Sequence, residues 1–242
     1  MTDELLPMPR DWHRALAIVA HPDDLEYGAA GAIAAWTDAG HQVSYLLVTR
    51  GEAGIDDTPP VEAAPLREEE QLASAAEVGV TAVEFLDHRD GTIEEGLALR
   101  RDLAASIRRY QPELIVTLNH RDTWGFGGWN SADHRTVGRA VLDAKADAGN
   151  RWIFPELIEQ DLQPWNGVRW VAIAGSAYPT HAVDVSATLE RAVKSLSAHR
   201  AYLSALSDEP PEQQARSFIE WATRVHSPQF GDRPCVAFEL TG

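Results

Sequence analysis

The chain of 242 residues contains one cysteine, Cys235, so no disulfide can close within it, and a reducing compartment fits. The apolar neighbours Val236 and Ala237 suit a buried strand position better than a nucleophile. Basic residues are scarce: 21 Lys and Arg stand against 37 Asp and Glu, a formal net charge of −16. A surface of that sign repels phosphate backbones and anionic lipid, which disfavours nucleic acid and membrane as partners. No apolar run approaches a membrane span, and residues 1–10, with Asp3 and Glu4, lack the core of a signal peptide. A Gly-x-Ser-x-Gly elbow is missing, which argues against a serine hydrolase. A glycine-rich turn after the first apolar run is missing too, which argues against a nucleotide-binding protein such as a methyltransferase. The expectation is a cytoplasmic protein that acts on a small molecule.

What is present is a regular alternation. Apolar residues make up 44% of the chain, enough for a sizeable core in one domain. Short apolar runs at 15–20, 43–49, 83–86 and 114–118 alternate with helical patterns at 26–39, 60–78, 97–110 and 131–146. This predicts an α/β fold with a mostly parallel sheet between two helical layers. In the doubly wound order 3-2-1-4 the first and fourth of these strands are neighbours, and ligands bind beyond their carboxyl ends. The last hundred residues are less regular: strands are expected at 168–174 and 183–185, one long helix at 186–206, and another at 212–225.

The first strand runs directly into Ala20-His21-Pro22-Asp23-Asp24-Leu25-Glu26. Imidazole and carboxylate are zinc's usual ligands apart from thiolate, and a catalytic site takes three of them plus a water. His21 and Asp24, three apart across a turn stiffened by Pro22, can reach one ion. Asp23 between them can face the water and act as general base. Glu26 suits the start of the next helix, or partners a histidine from outside the cluster. The third ligand must come from after the fourth strand, where His120, Asp122, Asp133 and His134 are candidates. His134 is preferred, because it begins a helix that fixes its position, and His120 is second. Asp133 either orients a metal-bound imidazole or caps the helix, with the two readings equally open. In the glycine-rich loop Trp124-Gly125-Phe126-Gly127-Gly128-Trp129, Trp124 can stack on a substrate ring or pack in the core.

These residues resemble the PIG-L or LmbE-like de-N-acetylases, whose first signature is similar to Ala20-His21-Pro22-Asp23-Asp24. The resemblance implies a single Rossmann-like three-layer domain over 1–242, with a βα core at 1–147 and pocket-completing strands and helices at 148–242. It implies a metal held by His21, Asp24 and His134, with zinc expected and Fe²⁺ as the alternative, and Asp23 as general base. Arg67, in Leu66-Arg67-Glu68-Glu69-Glu70, and Asp90, in the loop after the third strand, carry over as substrate-binding residues. The expected reaction is hydrolysis of an N-acyl group from an amino sugar or related small molecule. An amidase acting on a larger thiol-sugar conjugate and a silent metal-binding protein are the alternatives. A homo-oligomer is also implied. The chain departs from the second signature, with Ser131 in place of its first histidine. His181, in Pro179-Thr180-His181-Ala182-Val183-Asp184, is the candidate imidazole to fill that gap.

Overall fold

The computed structural model describes residues 4–125 and 127–242; Asp3 and Phe126, which entered the sequence reading, lie outside the described residues. Among the described residues eight strands form one sheet: β1 (Leu6–Pro7), β2 (Arg14–Val19), β3 (Gln42–Leu47), β4 (Ala82–Phe85), β5 (Leu114–Leu118), β6 (Trp170–Ala174), β7 (His181–Asp184) and β8 (Cys235–Thr241). Their spatial order is β1-β7-β8-β6-β5-β2-β3-β4. The four strands read from the apolar runs of the first half thus lie in the expected order, with β2 beside β5. All pairings are parallel except those of β8, which runs antiparallel between β6 and β7. The strand position expected at Cys235 is the start of β8, which extends to Thr241; the two-residue β1 was not read as a strand from sequence.

The central strands are apolar on both faces because helices cover both. On β2, Leu16 and Ile18 enter one core with Leu99, Leu103 and Ile107 of α4 (Leu97–Tyr110) and Val137 and Val141 of α5 (Ala132–Gly149). Ala15, Ala17 and Val19 enter the other, with Ile33 and Trp36 of α2 (Ala30–Asp38), Ala75 of α3 (Pro60–Glu77), Val193 and Leu196 of α7 (Leu189–Ser197) and Ile219 of α9 (Pro211–Val225). The result is a three-layer α/β/α fold with a mostly parallel sheet.

Two helices expected to be continuous are broken. The 26–39 segment divides into α1 (Asp24–Gly28) and α2 at Ala29, whose φ of −147° lies outside the helical region. The 186–206 segment becomes α7 and α8 (Arg200–Leu206), separated at His199, which is completely buried. The short helix α6 (Glu156–Glu159) lies in the segment between α5 and β6. Among the described residues no helix is long and apolar enough to cross a membrane.

Two features fix the edge where β2 and β5 end. Ser131 caps α5 by accepting the His134 N–H at 3.1 Å. Further along α5, Gly138 lies so close to the chain after β5 that a Cβ there would stand 2.8 Å from the Leu118 carbonyl and from the His120 Cβ. Only glycine allows this approach without displacing backbone.

Candidate metal centre and pocket

At the end of β2 the chain folds back on itself. The Asp24 Oδ2 accepts the N–H groups of Ala20 at 3.0 Å and His21 at 2.8 Å. That closure turns the His21 ring inward, with Nδ1 3.6 Å from the same oxygen. From α5, His134 brings its Nε2 to 2.9 Å from Asp24 Oδ1. One ligand atom from each of His21, Asp24 and His134 lies within 4.8 Å of the other two, and the two imidazole centroids are 5.2 Å apart.

Each ring is oriented from behind. The Nδ2 of Asn130 donates to the carbonyls of Asn119 at 2.7 Å and Arg121 at 3.0 Å, so its Oδ1 must face the other way. That oxygen sits 3.1 Å from His134 Nδ1, which therefore carries the proton and leaves Nε2 as a lone pair. Similarly, His21 Nε2 lies 3.1 Å from both Asp133 Oδ2 and Asp90 Oδ1 and donates to them. Its Nδ1 is left as the acceptor, on the side of Asp24. The carboxylates behind His21 are themselves held: Asp133 accepts the N–H of Gly91 at 2.8 Å and of Ile93 at 3.2 Å, and Asp90 that of Ala53 at 2.8 Å.

Two lone pairs and a carboxylate thus converge in a space that calls for a positive charge. Burial works against ionisation of both residues, yet Asp24 and the carboxylates on the far side raise the His21 pKa well above the ordinary histidine value, while His134 and His21 hold Asp24 below the usual carboxylate range. Two imidazoles and one carboxylate are the donor set of a catalytic divalent ion such as zinc, and all three have outer partners that fix their aim. The residues present therefore fit a metal. A second triad, His21 with Asp90 and Asp133, also has its ligand atoms within 4.8 Å of one another. Its carboxylates are already engaged with backbone N–H groups and with the His21 N–H, so it fits the role of support.

Asp23 stands at the apex of the turn in the left-handed region, with φ 86°, which is rare for a residue with a side chain. Its N–H donates to Gln71 Oε1 at 3.0 Å, and its Oδ2 accepts from Arg67 Nη2 at 2.6 Å. Burial, opposed by the Arg67 guanidinium, pushes its carboxyl up to about 6. Gly51, with φ 66°, closes the turn from the side: a Cβ there would meet Pro22 Cδ at 2.9 Å and Arg67 Nε at 3.2 Å.

These groups open onto a cavity of about 550 Å³. His21, Asp23, Asp24, His134 and Asp90 form its polar end, and Tyr27, Leu118, Trp124, Tyr202 and Phe218 line the rest. Trp124 stands edge-on to His134 at 5.5 Å. Of the residues expected to meet substrate, Trp124 and Asp90 reach the cavity. Arg67 does not: it is 1% exposed, grips Asp23 and the Pro22 carbonyl, and stacks 4.0 Å over the Tyr202 ring. The structure therefore gives Arg67 contacts to the turn rather than a face on the pocket.

His181 is not brought to the cluster either. It begins β7, bonds to Thr180 Oγ1 at 2.9 Å, and is separated from β2 by β8, β6 and β5. His120, the second choice as third ligand, packs beside α5 and does not join the triad, and Asp122 pairs with Arg135 and Arg139. Ser131 lines the cavity but uses its hydroxyl to cap α5. Glu26 is buried among Gln71, Ser74 and His199, away from both cluster imidazoles. Asn130 and Gln71 were missed by the sequence reading. Neutral amides carry no sequence signal of their own; only the position of Asn130, four before His134, hinted at a helix-entry contact.

The profile of the family described as PIG-L: GlcNAc-PI de-N-acetylase matches residues 16–145, which contain His21, Asp23, Asp24 and His134 with their supports Asp90, Asn130 and Asp133. Diacetylchitobiose deacetylase of Thermococcus kodakarensis is 29% identical over 197 residues, covering 79% of this chain and 70% of that protein. The 1D-myo-inositol 2-acetamido-2-deoxy-alpha-D-glucopyranoside deacetylase of Kineococcus radiotolerans is 31% identical over 176 residues, 58% of this chain and 46% of that protein's length. Among solved structures, N,N'-diacetylchitobiose deacetylase from Pyrococcus horikoshii superposes with a TM-score of 0.84 at 25% identity, covering 96% of this chain and 84% of that one.

Proposed function

Because the chain belongs to the PIG-L family of GlcNAc-PI de-N-acetylases, we propose that it is a zinc-dependent hydrolase that removes an acetyl group from the nitrogen of an amino sugar or a related small molecule. The observation that carries this reading is the convergence of His21, Asp24 and His134 at the polar end of the cavity, with Asp23 beside them. The relatives named above act, by their names, on acetylated amino sugars and their conjugates.

His21 Nδ1, Asp24 and His134 Nε2 would hold the ion. When bound, the ion would supply a Lewis acid for the amide carbonyl and for water. Asp23 takes the proton of the attacking water. With Oδ2 engaged by Arg67, the oxygen that receives the proton is Oδ1. The raised carboxyl of Asp23 suits the task, since a base near the working pH can take the proton and then return it. Asp23 returns it to the leaving amine, because Ser131 faces its own helix and His181 lies outside the cavity. Asp133, Asp90 and Asn130 keep the two imidazoles in the tautomers that present lone pairs. Tyr27, Trp124, Tyr202 and Phe218 exclude water from the apolar end and pack against the substrate ring.

The test is acetate release by the zinc-loaded protein from N-acetylglucosamine and N,N'-diacetylchitobiose. Zinc bound one per chain with release of acetate supports the reading. Zinc bound with no release from any N-acetylated amino sugar leaves the silent metal binder in its place.

A further inference from the structure

The turn that carries Asp23 is held from behind by a side chain with no part in the proposed chemistry. Gln71 of α3 is 1% exposed. Its Oε1 accepts the Asp23 N–H at 3.0 Å, and its Nε2 donates to Glu26 Oε1 at 2.9 Å. The two ends of a primary amide have nearly the same shape, so a partner must decide which end faces which group. Glu26 decides it, because a carboxylate only accepts and can be matched only by the NH₂ end. The oxygen end is then presented to Asp23.

Glu26 is itself fixed. The same Oε1 accepts from Ser74 Oγ at 2.6 Å, and Oε2 lies 3.6 Å from Nε2 of His199, a ring buried at the break between α7 and α8. The chain of contacts therefore runs from that helix break through Glu26 and Gln71 to the backbone of Asp23.

What this chain holds is an unfavourable conformation. A residue with a Cβ persists at φ 86° only where its surroundings over-determine it. Arg67 grips the side chain at Oδ2 and also the Pro22 carbonyl, the oxygen end of the peptide unit that leads into Asp23. Gln71 holds the N–H end of that unit, the end from which φ turns.

We propose that Gln71 is the positioning residue of the proposed base: it holds the Asp23 backbone in the left-handed conformation that aims the carboxylate into the cavity, and Glu26 sets the direction of its amide. The inference rests on the reading of Asp23 as base.

The experiment compares Gln71→Leu, Gln71→Glu and the exchanged pair Glu26→Gln/Gln71→Glu with the unaltered chain. All are zinc-loaded and assayed on whichever of N-acetylglucosamine and N,N'-diacetylchitobiose the unaltered chain deacetylates faster. Misplacing a reacting group by about 1 Å costs about 100-fold, so Gln71→Leu is expected to lower kcat per bound zinc by roughly 10- to 100-fold. KM and zinc stoichiometry should stay unchanged. Gln71→Glu sets two carboxylates face to face and should lose as much. The exchanged pair restores one amide and one carboxylate, with Ser74 Oγ turning its proton to Ser195 Oγ, 2.8 Å away. It should recover most of kcat. In a crystal structure of Gln71→Leu, Asp23 should leave the left-handed region.

A merely structural role would lower the folded or zinc-loaded fraction and leave kcat per zinc unchanged. The proposal is overturned if Gln71→Leu keeps kcat, if the exchanged pair is no better than Gln71→Glu, or if Asp23 keeps its φ in the variant crystal. Asp23→Asn separates the two levels: if it abolishes turnover while Gln71→Leu does not, only the positioning role fails. If Asp23→Asn keeps full turnover, the base assignment itself fails.

Discussion

Asn130→Ala tests the way the centre is built. The side chain is completely buried and makes three hydrogen bonds: to the carbonyls of Asn119 and Arg121 and with His134 Nδ1. At about 0.5–1.5 kcal/mol net for each, the truncation should cost about 1.5–4.5 kcal/mol of stability. For a chain of this size that lowers the Tm of the metal-free protein by roughly 3–18 °C. The His134 bond has a second effect, because it fixes the tautomer that offers Nε2 to the ion. Loss of such an outer partner typically weakens metal binding by about 10- to 100-fold. That corresponds to about 1.4–2.8 kcal/mol. Zinc affinity is read by competition with a chromophoric chelator, and stability by calorimetry on metal-free protein. Asn130→Asp provides the contrast: it can still accept the His134 N–H but sets an oxygen against two carbonyls. It should lose stability while keeping most of the zinc affinity. If Asn130→Ala loses stability but binds zinc as tightly as the unaltered chain, the tautomer argument is wrong.

Other outcomes follow from the same geometry. Asp23→Asn should retain one zinc per chain and lower turnover by at least about 100-fold, measured as acetate release per bound zinc. Gly138→Ala, which drives a Cβ into the Leu118 carbonyl and His120, should cost about 1–3 kcal/mol and shift α5 enough to weaken zinc binding, both measurable by calorimetry with and without the metal. His181→Ala should leave kcat unchanged, since its ring lies outside the cavity; a loss of turnover with zinc intact would restore it as a proton donor. Stripping the metal with a chelator should lower Tm, and returning zinc at about 1,000 times its Kd should restore about 4.1 kcal/mol of stability.

The central sheet was legible because β2, β3 and β5 are short apolar runs buried on both faces, each followed by a helix of clear period. Of the antiparallel β8 only the start was legible, from the apolar neighbours of Cys235; its extent and direction were not, since Glu239 and Thr241 interrupt the apolar pattern. The helix breaks were hidden for different reasons: Gly28 stands at the first but inside an alanine-rich stretch of helical pattern, and at His199 no proline or glycine marks the break. At the site, the His21-Pro22-Asp23-Asp24 turn announced itself through residue types that seldom occur together at a strand end. His134 followed from the adjacency of β2 and β5. The supports were less visible. Asp133 was weighed between two roles and turns its carboxylate to His21. Arg67 was expected to meet substrate, but burial turns it onto Asp23. Gln71 acts across a sequence separation of 48 residues, which no local pattern reports.

The most direct test of the account is a crystal structure of the zinc-soaked protein, with anomalous scattering recorded at the zinc edge. One peak is expected within bonding distance of His21 Nδ1, Asp24 and His134 Nε2, with Asp23 beside it. A peak bound instead by His21 Nε2, Asp90 and Asp133, or none at the end of β2, would contradict it.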